Sequence, residues 1–224
     1  MHLVNKKFRY LPFYFYTNFN NKVILFRYGY KVFKNYYKNC EPETKKFLKT
    51  TLKKKFNIID CGCNVGYFSY IFSILAPLGR IYSIDGSSDN LIKFRKNFKN
   101  KLKNISTIHK ALSSKSVSKS AKIHSVWNHK TEKKVFKFKT LDALFAFKKT
   151  KIDFIKIDCD GYEYDILLGS KLILKQYKPI LCVEISKYPL FFKEKNKIIK
   201  FLEKKNYRLR KILDKENHIF FYNG

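Results

Sequence analysis

Apolar and polar positions along the chain switch repeatedly between two periods. Residues 56–60 form a short apolar run with Ile58 and Ile59 that ends on Asp60, the pattern of a buried parallel strand. Gly62 and Gly66 follow, allowing a tight turn and a close approach of backbone to a ligand. From Tyr67 the apolar positions Phe68, Ile71, Phe72 and Leu75 recur at helical spacing. The same alternation continues. Residues 80–85 predict a second strand ending on Asp85, and Leu91, Phe94, Arg95 and Phe98 carry the next helix. Residues 105–110 predict a third strand, 152–157 a fourth and 179–186 a fifth. Ile166, Leu167 and Leu168 belong to a helix between the last two, and residues 198–205 predict another. Residues 207–213 and 218–222 read as a closing strand pair around a turn at 214–217. A helix over about 43–54 precedes the first strand. Residues 113–122, rich in Ser and Lys, read as an exposed loop. Residues 134–140 read as an added edge strand whose lysines guard against edge pairing, and a helix starts at 142–147. Strands alternating with helices imply an α/β fold around a mostly parallel sheet, and no repeat is present.

At 224 residues the chain is long enough for one α/β domain and short for two. No apolar run reaches the length of a transmembrane helix: the best stretch, 68–78, is broken by Ser69, Ser73 and Pro77. The N-terminus mixes Lys6, Lys7 and Arg9 with aromatics and lacks an uninterrupted apolar core, so no secretory signal is expected. The five cysteines Cys40, Cys61, Cys63, Cys159 and Cys182 lie mostly in strand-like surroundings, which predicts reduced thiols and a cytoplasmic location. Cys61-x-Cys63 lacks zinc-finger spacing, and no zinc site is expected. A formal charge of +31 implies weak, salt-sensitive association with nucleic acid or an anionic membrane. The joint excess of Lys, Asn, Ile, Phe and Tyr is also what AT-rich codons produce, and the charge has that second source. Residues 1–50, aromatic and basic, form an N-terminal cap segment that could cover the site, lie on a membrane or pack on its own domain.

Candidate chemistry gathers at strand ends. A dinucleotide turn needs Gly-x-Gly-x-x-Gly, but the middle position here is Asn64, and Asp60 closes the strand before the turn. A fixed carboxylate repels a pyrophosphate and attracts a cation, so the turn fits S-adenosylmethionine, which carries an ammonium, a sulfonium and no phosphate. Asp85, about twenty residues past the turn, stands where a doubly wound fold places the acceptor of ribose hydroxyl protons. Ala111-Leu112, after the third strand, is placed for backbone contacts to an adenine. The fourth strand ends in a crowd of acids, Asp158, Asp160 and Glu163, with Lys156 just inside it. Asp160-Gly161 and Glu163 also have ordinary turn and helix-start chemistry. Glu184, in an otherwise apolar strand, is a candidate partner of Lys156 and reads equally as structural, electrostatic or part of the site.

The segments 59–66, 140–142, 153–163, 167–169 and 179–184, taken in order and spacing, resemble the FkbM family of S-adenosylmethionine-dependent methyltransferases over roughly 57–186. The resemblance implies a Rossmann-like class I methyltransferase fold, a seven-stranded sheet whose last strand is antiparallel, occupying residues 51–224. It implies methyl transfer to oxygen, often of a sugar. By motif match Asp60, Gly62, Asn64 and Gly66 would bind S-adenosylmethionine, while Lys156, Asp158 and Glu163 would edge the methyl-transfer pocket. Departures are Cys63 in place of a small residue, Asp85-Gly86 in place of Glu-Pro, and Asp160 in place of Glu. The first fifty residues match no pattern.

The expected chemistry is in-line displacement at the sulfonium methyl, with Asp158 accepting the hydroxyl proton, Asp160 as second candidate and Lys156 orienting the acceptor or keeping the acids ionised. His109 is a weaker base candidate. The acid cluster could hold a divalent cation, as in some class I O-methyltransferases, but no metal ligands are assigned. The hydroxyl acceptor is read as a sugar, glycan or other small molecule. An RNA ribose 2′-hydroxyl is the alternative, with the 113–122 segment and the basic N-terminus as phosphate contacts. The other alternative is a non-catalytic module binding nucleic acid or membrane.

Overall fold

The computed structural model describes residues 15–19, 22–26, 41–98, 103–121, 134–185 and 189–224. Its centre is a seven-stranded sheet built from β3 (Ile58–Cys61), β4 (Ile81–Asp85), β5 (Ile105–His109), β9 (Phe154–Ile157), β10 (Ile180–Glu184), β11 (Tyr207–Leu213) and β12 (Asn217–Tyr222). Their order across the sheet is β11-β12-β10-β9-β3-β4-β5. β3, β4, β5, β9 and β10 pair in parallel, whereas β12 runs against both β10 and β11. The expected architecture is therefore present, with the strand order reversing between β3 and β9.

The four strands β3, β4, β9 and β10 are short and apolar because both faces are covered. On one face Ile58, Phe154, Cys182 and Ile219 pack with helices α1 (Pro42–Thr51), α2 (Tyr67–Leu75) and α3 (Ser88–Phe98) through Leu48, Ile71, Phe72 and Phe94. On the other face Ile59, Ile155, Ile157, Leu181 and Val183 pack with α5 (Glu163–Leu168), α6 (Lys171–Tyr177) and α7 (Pro189–Glu203). α1 thus packs into the same core as the strands that follow it. The short α4 (Leu141–Phe145) is capped by Thr140, whose hydroxyl accepts from the Ala143 N–H at 3.0 Å.

Several boundaries differ from the sequence reading. Residues 113–122 are not a loop throughout. Val117–Ala121 is strand β7, which pairs antiparallel with β8 (Lys134–Lys139). Together with β6 (Ala111–Leu112) they form a separate three-stranded sheet, so β8 is its central strand and not an edge of the main one. Ser and Lys composition hid a period-two pattern in which Val117 and Lys119 face Phe138 and Phe136 across the ladder. α7 begins at Pro189, earlier than its apolar periodicity suggests, since proline suits the first helical turn. α6 is a helix the sequence reading did not anticipate. Asp142 caps it from a distance, accepting from the Leu172 and Ile173 N–H groups at 3.0 Å each. Near the N-terminus β1 (Phe15–Phe19) and β2 (Lys22–Phe26) form a hairpin. The rest of the proposed cap segment before residue 41, Cys40 included, lies outside the described residues. Among the described residues no helix is long and apolar enough to cross a membrane.

Candidate active site

Register gathers the chemistry. Across the sheet Ser83 pairs with Asp60, Asp60 with Lys156, Lys156 with Cys182, and Cys182 with Ile219. Registered residues share a face, so this polar row lies under α1 and α2, opposite the layer of Ile59, Ile155 and Leu181. Just beyond it, at the carboxyl ends of the parallel strands, stand Asp85, Gly62, Asp158 and Glu184, with Asn217 registered to Glu184. In open α/β sheets ligands bind at this edge where the strand order reverses.

The turn after β3 is held from both sides. Gly62 and Cys63 donate to the Ile84 carbonyl at 2.9 and 3.0 Å, and Asp158 donates to the Cys61 carbonyl at 3.1 Å. Gly62, at φ +80°, lies so close to the Asp158 carbonyl that a Cβ would collide with it. This glycine is required by the neighbouring strand end. Gly66 likewise has no room for a Cβ, because the Phe94 and Phe98 rings of α3 press against it. The sequence reading gave both glycines to the cofactor, and the structure adds a packing reason for each.

Asp60 is buried, and its carboxylate accepts from the Ser69 hydroxyl at 2.5 Å; Ser83 donates in turn to Ser69 at 2.8 Å. Burial pushes the Asp60 carboxyl up to about 6, while Lys156 and the Ser69 hydrogen bond pull it back. The side chain therefore braces the first turn of α2 beneath the glycine loop. Asp85 is the buried carboxylate at the end of β4. It accepts from the Asn64 N–H at 2.9 Å, the Ser87 N–H at 2.7 Å and the Asn90 amide at 3.2–3.3 Å. Burial raises its carboxyl, and the Ser87 and Asn64 backbone donors oppose that rise. Beside it Asn64 Oδ1 and Asn90 Oδ1 are buried acceptors without a partner among the described residues. This corner is rich in acceptors and lacks donors to match, so it suits a ligand that brings hydroxyl or ammonium protons and disfavours a phosphate.

On β9 the Lys156 ammonium lies 2.5 Å from Asp158 Oδ2 and over the Phe68 ring at 4.6 Å. Burial acts to lower the Lys156 ammonium, but the Asp158 and Glu41 carboxylates hold it well above its ordinary value. Partial burial acts to raise the Asp158 carboxyl, but Lys156 and a hydrogen bond with Glu184 hold it below the usual range. Glu184 is pushed up to about 10, chiefly by the Asp158 charge and then by burial. The partner of Lys156 is thus Asp158, while Glu184 is the carboxyl that holds its proton more tightly and is hydrogen-bonded to Asp158.

The remaining sequence candidates have local parts. Glu163 accepts from the Cys159 and Gly161 N–H groups at 2.9 to 3.1 Å and braces the turn that carries Asp158. Asp160 sits exposed on that turn at φ +51°. Ala111 begins β6 and is buried with Phe138, with Tyr162 packed on them. His109 ties the end of β5 to the next loop through Nε2, 3.1 Å from the Gly86 carbonyl oxygen. Sequence reasoning missed Ser69, Ser83, Asn90, Asn217 and Glu41. Only Ser69 gave a signal, as a polar residue on the buried face of a helix. Among the described residues no group of three His, Cys, Asp or Glu side chains is arranged to hold a metal ion.

Comparison with known proteins gives a consistent picture. A family model described as the methyltransferase FkbM domain matches residues 60–209. A methyltransferase FkbM from Methylobacillus flagellatus KT is 17% identical with a TM-score of 0.56, covering 84% of this chain and 52% of that one. The chain therefore spans about half the length of that protein. Fibrillarin from Aeropyrum pernix, with natively bound S-adenosyl-L-methionine, is 11% identical with a TM-score of 0.53, covering 93% and 81%. A precorrin-6y C5,15-methyltransferase from Geobacter metallireducens GS-15 is 15% identical with a TM-score of 0.50, covering 80% and 85%. At these identities the likeness is one of fold. No curated protein matches the chain.

Proposed function

Because this chain belongs to the FkbM methyltransferase family, we propose that it moves a methyl group from S-adenosylmethionine to a hydroxyl oxygen of a sugar, glycan or other small molecule. The observation that carries this reading is the pairing of two unlike corners at one sheet edge. The β3–β4 corner offers Asp85 and the orphan acceptors of Asn64 and Asn90. The adjacent β9 end offers an ionised carboxylate on a buried ammonium.

The residues present fit the cofactor's chemistry. Asp85, Asn64 and Asn90 would accept protons from ribose hydroxyls, and the glycine turn keeps side chains out of the way. Asp60 would act from below by holding Ser69 and the start of α2. S-adenosylmethionine, when bound, supplies an electrophilic methyl on a sulfonium. Asp158 then has the task of taking the hydroxyl proton, which a positioned base can turn into a rate gain of about 10²–10⁴-fold. Lys156 keeps Asp158 anionic, and Glu184 holds its own proton against Asp158. Phe68 lies against Lys156 on its apolar side and helps exclude water.

A surplus of 31 positive charges supports a second acceptor, the ribose hydroxyl of RNA. The carboxylates of Asp158 and Asp160 at the edge itself weigh against a phosphodiester there and favour an uncharged polyol. Methyl-labelled S-adenosylmethionine incubated with the full chain and fractionated lysate tests both. Label in glycan or small-molecule fractions supports the first reading, label in RNA the second, and no label in any fraction counts against transfer to oxygen.

A further inference from the structure

Among the described residues outside those matched by the family model, Glu41 reaches this edge from the N-terminal side. Glu41 stands immediately before Pro42, in the left-handed region at φ +46°, where α1 begins. The start of α1 is clamped to the β11–β12 turn. Asp214 accepts from the Glu43 and Thr44 N–H groups at 3.2 and 2.8 Å, and Glu43 accepts from the Asp214 N–H at 2.6 Å. With the helix fixed, the Glu41 carboxylate accepts from the Asn217 amide at 2.8 Å. Asn217 opens β12 opposite Glu184, and its own Oδ1 lies 3.6 Å from Cys182 Sγ, on the polar row. From these observations we infer that Glu41 is a positioning residue of the acceptor edge, held there through Asn217 beside Glu184, whose charge tunes the carboxyl pair that meets a hydroxyl.

The inference rests on reading the β9 edge as the acceptor side. A purely structural role for Glu41 is already filled by the clamp between Glu43 and Asp214, which needs no further tie. The groups that face Glu41 are Lys156 on β9, Asp158 just past its end, Asp214 on the turn and Asn217 on β12. Those facing Glu184 are Asp158, Lys156 and Glu41 itself. Burial raises the Glu41 carboxyl and the Lys156 charge opposes that rise; once ionised, Glu41 adds negative potential at the carboxyl pair. Taking its charge away makes both carboxyls easier to ionise. Since neither Glu41 nor Asn217 falls within residues 60–209, this tuning belongs to the chain's own flanks.

The test is carboxyl ¹³C NMR across pH on the full chain labelled at Asp and Glu, for wild type, Glu41→Gln and Glu41→Asp. The Gln amide still accepts from Asn217, so the fold is kept while the charge is lost. The expected result is a fall of about one pH unit in the Glu184 titration for Glu41→Gln. Glu41→Asp withdraws the charge by one methylene and should give a smaller shift of the same sign, which serves as well if the Gln variant folds poorly. A Glu184 titration that is the same in all three proteins overturns the role given to Glu41. Calorimetry with S-adenosylmethionine on the wild type separates the two levels. No binding overturns the functional reading, and binding with an unmoved titration overturns only Glu41's part.

Discussion

Lys156 on β9 and Asp158 just past its end stand with Nζ 2.5 Å from Oδ2, yet their side chains are 3% and 29% exposed. The ammonium is the buried partner and the carboxylate the outward one, so the pair presents an anion held ionised from behind. A buried ammonium with one partner removed is costly, and here the surrounding Asp60, Glu184 and Glu41 are all acids.

Replacing Asp158 by Ala should lower methyl transfer at least about 100-fold while S-adenosylmethionine still binds, because the lost group is a proton acceptor and not part of the cofactor corner. Labelled-methyl transfer and calorimetry on the same protein check this. Undiminished transfer removes Asp158 from the chemistry.

Replacing Lys156 by Met keeps the volume but leaves the facing acids without their cation. A stability loss of about 3–5 kcal/mol is expected from urea unfolding at pH 7. A change below about 1 kcal/mol, the range of an exposed ion pair, would show that the cluster is solvated.

Replacing Asp85 by Asn removes the charge that the Asn64, Ser87 and Asn90 donors surround. Cofactor affinity should fall by about 10- to 100-fold, the loss of one or two hydrogen bonds to a charged group. Isothermal calorimetry with S-adenosylmethionine reads it directly, and an unchanged Kd would take Asp85 out of the binding corner.

Gly62→Ala brings a Cβ against the Asp158 carbonyl at a residue whose φ is +80°. Overpacking together with left-handed strain should cost about 2–5 kcal/mol. A melting temperature within a degree of wild type would show that β3 and β9 can part at no cost.

The Asp60 carboxyl titrates at about 6 in the folded chain against 3.8 when unperturbed. Its folded form binds the proton more tightly than the unfolded form, so its contribution to stability falls as pH rises between those two values. Asp60→Asn removes that titration. The variant's stability relative to wild type should rise across that window by up to roughly 3 kcal/mol. Urea midpoints at several pH values test the sign, and a constant difference would mean that the carboxylate is hydrated.

Much of the fold was legible because each central strand is covered on both faces and must be apolar, while each helix covers one face and must be amphipathic. The runs at 58–61, 81–85, 154–157 and 180–184 announce themselves for that reason. Val117–Ala121 did not, since a strand half exposed on a small outlying sheet need carry few apolar residues. The start of α7 and the separate α6 were missed because proline and glycine punctuation, not periodicity, sets those limits.

The strand–turn–helix order, the acids at strand ends and the lack of a dinucleotide turn all depend on neighbours within a few residues, and the linear order of residues suffices for them. Tertiary structure alone decided which acids meet. Register laid Asp60 beside Lys156, α2 closed over Asp60, and the clamp at Asp214 carried Glu41 to the same edge across more than 170 positions. A carboxylate's charge state depends on burial and on the sign of its spatial neighbours, and those are fixed only when the sheet is assembled.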